Sequence, residues 1–223
     1  MKYFTKEYIQ FFKELEKNNS KDWFDKNRKR YEKEVREPWK VFIDDLIKAY
    51  EKNYGPVPMT SKEAVTRINR DIRFSKDKTP YKDHMGAMIS RYGKKNMSHP
   101  GIYIQANHKD IRMYSGAAVL DKEQLHKVRS HLMKHADAFK RAINAKPFRD
   151  TFSDILGEKN KRIPPEFRDA AENLPVLYQK NFYYFFTLST KDMLEDGLII
   201  KLMKEYKKCD KVSAFFEDAL SNS

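Results

Sequence analysis

Residues 67–84 read RINRDIRFSKDKTPYKDH, which gathers Arg67, Arg70, Arg73, Lys76, Lys78, Lys82 and His84 beside only three acids, Asp71, Asp77 and Asp83. Arginine's planar fork of N–H donors matches phosphate and carboxylate oxygens, and lysine adds a mobile point charge, so this block suggests the holding of an anion. In that reading Arg67 and Arg73 are forked donors, with Arg70 in the same cluster. Asn69 orients the ligand, Lys76, Lys78 and Lys82 supply charge from a loop, and Tyr81 forms a wall. Catalysis is an optional extra that falls to Asp71 or His84, the acid–base candidates of the block. Two other readings compete. One is structural, with the arginines paired to Asp71, Asp77 and Asp83 in a buried ion network that holds strand register. The other is nucleic-acid binding through the basic loop and its aromatic neighbours. Against the latter, the chain has neither the RNP pattern nor the glycine-containing KH loop.

The charge is local. Of the formal net +13 over 223 residues, residues 61–100 contribute +6, from ten Lys and Arg against four acids. Stretches such as KELEKNNSKD and EKEVREPWK alternate sign at helical spacing and read as solvated helix faces. The signatures of nucleotide-binding loops, zinc proteases, serine hydrolases and CxxC redox sites are absent. His131 and His135 stand four apart but lack an acidic partner and read as solvent-exposed. Cys209, the one cysteine, sits in a helical pattern and reads as structural. No metal or cofactor is expected, and the expected partner is a small anionic ligand, with nucleic acid second. No segment approaches the roughly 20 apolar residues that span a bilayer, and with no leader-like apolar run at the N-terminus the expected location is cytoplasmic.

Several elements must position the block. Tyr8, Phe11, Phe12 and Leu15 mark a short amphipathic helix stopped by Asn18 and Asn19, after which Ser20 caps the next helix. That makes NNSKDW a helix joint. A helical period runs through Phe24, Tyr31, Val35, Trp39, Phe42 and Leu46, and Pro38 inside it implies a kink, a break or the start of a second helix. At Ile68, Ile72 and Phe74 the period changes to 2, which predicts a strand with Arg67, Asn69, Asp71 and Arg73 on one face. Arg70 then falls on the apolar side and needs a carboxylate, a bulge or a sheet edge. HMGAMISRY, PGIYIQA, DIRMYSG and FYYFFTL read as further strands, with a hairpin at Asn107 to Asp110. A helix from Asp121 through Ile143 ends or bends at Lys146-Pro147. Residues 157–175 read as loop, and Lys191–Leu220 as a helical region broken near Cys209.

NNSKDWFDKNRKRYEKEV, RINRDIRFSKDKTPYK, HPGIYI and LYQKNFYYF together resemble the family called domain of unknown function 2461, over nearly the whole chain. The resemblance implies a single mixed α and β domain and names no activity. One departure stands out: the family's glycine-rich segment after the hairpin is here Ser115-Gly116-Ala117-Ala118, with one glycine, which weakens the case for a backbone anion cradle there. The expected architecture is one α+β domain over 1–223, with a central, largely antiparallel sheet packed by long helices from both ends of the chain.

Overall fold

The computed structural model describes residues 1–94 and 96–221. Strands β1 (Met85–Ile89), β2 (Ile102–Ala106), β3 (Asp110–Ala117) and β4 (Phe182–Ser189) form one antiparallel sheet in chain order. Helices make up most of the remainder, so the α+β class holds. The β2–β3 hairpin closes where the sequence places it: Asn107 Oδ1 accepts hydrogen bonds from the backbone N–H groups of Lys109 and Asp110, bending the chain as a second backbone carbonyl would. The residues cluster into two compact units. One holds Met1–Lys94, Tyr103–Met113 and Thr187–Met203, and the other holds the remaining described residues.

In the first unit, Thr5 caps α1 (Lys6–Lys17), whose Tyr8, Phe11, Phe12 and Leu15 are fully buried. The helix ends at Asn18 with φ −128°, outside the left-handed region, because the Asn18 side chain and backbone N–H both return to the Glu14 carbonyl. Ser20 Oγ accepts from Trp23 N and starts α2 (Lys21–Tyr31). A π-helical turn, Glu32–Arg36, leads into α3 (Glu37–Tyr54), with Pro38 in its first turn. Proline has no N–H to donate, so the change of hydrogen-bond register before it places that gap where a helix begins and no bond is needed. Phe4, Tyr8, Phe11, Phe24, Trp39 and Phe42 interlock as tilted and edge-on aromatic pairs. The short α4 (Ser61–Ala64) carries a capping box between Thr60 and Glu63.

In the second unit the helix expected from Asp121 to Ile143 is interrupted. Asp121 and Gln124 cap α5 (Lys122–Lys134) as expected, but His135 leaves the helical region at φ −120° and ψ 34°, and α6 (Ala136–Asn144) follows. Pro147 then sits in the first turn of α7 (Lys146–Phe152). The break lets His131 face inward: its ring lies 4.6 Å from Phe215, and burial lowers its pKa, so the expectation of an exposed histidine is corrected to a half-buried one. Residues 157–175 are mostly irregular, with α8 (Arg168–Asn173) the short helix within them. Further along the chain come α9 (Thr190–Met193) and α10 (Leu198–Tyr206), then a 3₁₀ turn at Lys207–Cys209 and α11 (Asp210–Ser221), so the break near Cys209 is present. Cys209 is buried and its thiol is pushed up to about 12, which suits the structural role read from the sequence. Among the described residues no helix is long and apolar enough to cross a membrane.

The strand expected at 67–74 does not form. Between α4 and β1 only two isolated bridges occur, Val65 with Ala87 and Asn69 with Tyr81. The chain turns away at Arg70 because the Arg70 guanidinium grips Asp77, Thr79 and Ser75 across a loop. Phe74, counted as the end of an apolar face, is 94 % exposed. The period-2 pattern is therefore only half real, since Ile68 is buried and Phe74 stands almost fully exposed. Consequently Arg67, Asn69, Asp71 and Arg73 share no sheet face.

Candidate functional site

The first unit carries a cleft of about 360 Å³, inside the range typical of small-molecule sites. Its cationic lining comprises Arg28 from α2, Arg36 from the π-helical turn, Lys40 from α3, Lys62 from α4 and Arg67, against one acid, Glu32. Its apolar surface comes from Phe24, Tyr31, Ile68, Tyr81 and Met85. Residues 28, 32, 36 and 40 stand four apart on one continuous helical path, so the helix delivers a charged stripe to the cleft wall.

Three of these cations are already engaged. Arg28 pairs with Asp25 at 2.5 Å, Arg36 with Glu32 at 2.8 Å and Lys40 with Glu37 at 2.6 Å. Arg67 and Lys62 have no ion pair or side-chain hydrogen bond among the described residues. An unpaired, solvent-facing guanidinium costs little while hydrated, and keeps its full set of donors for an incoming anion.

The floor is tightly determined. The Tyr81 and Phe24 rings stack with centroids 4.0 Å apart and planes 14° from parallel. Asn19 fixes Tyr81 from both sides, donating to its carbonyl at 2.9 Å and accepting from its N–H at 3.1 Å, as a strand partner would. NNSKDW is thus a helix joint that also holds the site's floor. Tyr31 donates to Met85 Sδ at 3.6 Å, and burial pushes its phenol up to about 12, so it stays protonated.

The sequence block divides. Arg67, Asn69 and Tyr81 line the cleft. Lys82 is not itself among the lining residues, but its Nζ donates at 3.2 Å to Oγ1 of Thr66, which is. Arg70 is tied to Asp77 and Thr79, and with Thr79 N–H they hold the Asp77 carboxyl down at about 2. Asp71 and Arg73 pair at 2.7 Å on the exposed loop, which lowers the Asp71 pKa. Lys78 donates to the Ile72 carbonyl at 3.0 Å, and Lys76 is exposed. The loop's Arg70, Asp71, Arg73, Lys76 and Lys78 therefore do not join Arg67 in the cleft lining. His84 sits apart from that lining too, with Nδ1 2.7 Å from Asp83 Oδ1 and Nε2 3.5 Å from the Tyr103 hydroxyl.

Sequence reasoning missed Arg28, Arg36, Lys40, Lys62 and Thr66. The spacing of 28, 36 and 40 in multiples of four was a readable signal, but the acids interleaved with them made the stripe look like an ordinary solvated face. Among the described residues no group of three or more His, Cys, Asp or Glu could hold a metal ion.

A family model described as conserved hypothetical protein (DUF2461) matches residues 7–215 of the chain. No curated protein and no solved structure matches it.

Proposed function

We propose that this chain, which belongs to the DUF2461 family of conserved hypothetical proteins, binds a small ligand bearing a phosphate or carboxylate group in the cleft beside α2 and α3. One observation carries the reading: five cationic side chains line the cleft against one acid, and Arg67 and Lys62 have no ion-pair or side-chain hydrogen-bond partner among the described residues. The unpaired pair receives the anionic group, while the Phe24–Tyr81 floor takes the uncharged part of the ligand. A thermal-shift screen with inorganic phosphate and with phosphorylated and carboxylated metabolites tests it. A ligand that binds only the native state stabilises it by about 2.7 kcal/mol at a hundredfold excess over Kd. Arg67→Ala loses that stabilisation and Arg73→Ala keeps it. Equal responses of the two variants would sink the proposal.

Nucleic acid remains a second reading because of Phe74. That ring is 94 % exposed, with the Arg73 guanidinium 5.8 Å from its centroid, on a loop that also carries Lys76 and Lys78. Exposed aromatic and cationic groups together are how single strands are gripped. Tight, steeply salt-dependent binding of single-stranded oligonucleotides, lost in Phe74→Ala, would promote it above the small-ligand reading.

A further inference from the structure

Lys82 is a half-buried lysine hydrogen-bonded to a residue of the cleft lining. It forms no ion pair among the described residues, and its one side-chain hydrogen bond goes to Thr66 Oγ1 at 3.2 Å. Thr66 lines the cleft and passes its own proton to the Gly86 carbonyl at 3.1 Å. Gly86 has no side chain for a reason: a Cβ there would stand 2.9 Å from the Tyr103 hydroxyl and 3.0 Å from Thr66 Oγ1. The phenol and the threonine hydroxyl therefore both border the space in front of this glycine. Behind Tyr103 comes His84, at 3.5 Å, and behind His84 comes Asp83, at 2.7 Å. An amine and a hydroxyl thus form one hydrogen-bonded pair whose front member lines the cleft, and a phenol and an imidazole backed by a carboxylate form a second group near Gly86.

We infer that Lys82 is a reactive amine that forms an imine with an anionic carbonyl compound, an aldehyde or ketone carrying a phosphate or carboxylate that Arg67 holds. This rests on the anion-binding reading of the cleft and gives its ligand a chemical class. Three features support the amine as the reacting group. No carboxylate pins it as an ammonium ion. Burial, followed by the nearby charges of Arg67 and Lys94, lowers its pKa and so favours the free lone pair. Its neighbours are also of the type that the proton transfers require. The Lys82 Nζ lone pair attacks the carbonyl carbon, a C–N bond forms as the C=O π pair moves to oxygen, and that oxygen gains one of the two amine protons to give the carbinolamine. The carbinolamine then loses its hydroxyl, protonated, as one water while the nitrogen releases its remaining proton. Thr66 Oγ1, 3.2 Å from Nζ and in the cleft lining, is the hydroxyl placed to pass these protons. No electron leaves or enters.

The test uses pyridoxal 5′-phosphate and phosphate-free pyridoxal as probes, with borohydride reduction to fix any imine and peptide mass spectrometry to locate it. Pyridoxal 5′-phosphate should label Lys82 ahead of the other lysines, and roughly tenfold faster than pyridoxal does, the scale of one charge-assisted contact. Arg67→Ala should bring the two aldehydes to equal rates. Lys82→Arg, which keeps the cation and whose fold is checked by circular dichroism, should remove the preferred site and leave slow, scattered labelling. If inorganic phosphate stabilises the protein but labelling is spread evenly over the lysines, the amine assignment falls and the anion site stands. If Lys82 reacts equally with both aldehydes and phosphate gives no stabilisation, the anionic substrate class falls with the cleft reading.

Discussion

The charged block 67–84 contains two regions of similar composition and opposite character. Around Arg67, Asn69 and Tyr81 the chain lies on helical neighbours and lines a cleft in which arginine and lysine donors stay open. From Arg70 to Thr79 every charge except Lys76 is engaged within the loop itself, through Arg70 with Asp77, Arg73 with Asp71 and Lys78 with a carbonyl. The phenylalanines follow the same division, since Phe24 beneath the cleft is 2 % exposed and Phe74 on the loop is 94 % exposed. Charge density therefore does not tell which donors stay open. What decides it is whether the local chain supplies the counter-charge, and a loop rich in aspartate at two- and seven-residue spacing does so.

The largest effect that separates the two regions is on folding. Phe24→Ala removes one face of the Tyr81 stack and leaves a cavity under the cleft, which should cost roughly 3–5 kcal/mol in chemical denaturation. Phe74→Ala should stay within about 0.5 kcal/mol of the parent. Similar losses in both variants would mean that the loop packs on something in solution and that the contrast is false.

Next in size is Arg70→Ala. It removes the one side chain that joins Asp77, Thr79 and Ser75, so the loop frays while the cleft persists. The partners are largely exposed, and the expected fall in Tm is only roughly 3 °C. Amide hydrogen exchange should speed up over 70–79 and stay unchanged at 66–69. A fall in anion binding of the size expected for Arg67→Ala would break the division between the regions.

The smallest effect is on acid titration. Asp77 is held at about 2, below its ordinary 3.8, by Arg70 and then by the Thr79 N–H and hydroxyl. A depressed native pKa contributes stability that is fully present above the unfolded value and is lost as pH falls through the native value, so the Asp77 contacts should survive at pH 3 and fail near pH 2. Carboxyl carbon shifts in NMR read this directly. In Arg70→Ala the midpoint should move up toward the ordinary value, and an unmoved midpoint would remove Arg70 as the cause.

The α+β class, the positions of β1 to β4, the Asn107 hairpin, the Ser20 and Asp121 caps and the break near Cys209 were all legible in residue order. Each rests on interactions a few residues apart: alternation on a strand, a side-chain oxygen reaching an N–H three residues on, or an asparagine folding back on its own backbone. A disturbance of the helix at Pro38 was legible for the same reason, since a missing N–H acts where it stands, although its form, a new helix starting there, was one of three alternatives. What only tertiary structure decided were pairings across long separations. Asn19 clasps Tyr81 over 62 residues, and Phe24 stacks on that same ring. Arg28, Arg36 and Lys40 become a cleft wall only once residues 62–69 lie opposite them. The strand at 67–74 was misread for the complementary reason. Alternation states which residues would share a face, but a face exists only when another layer covers it, and at Phe74 none does. Local order reports what the backbone prefers, whereas burial and the meeting of charges depend on which distant segment arrives.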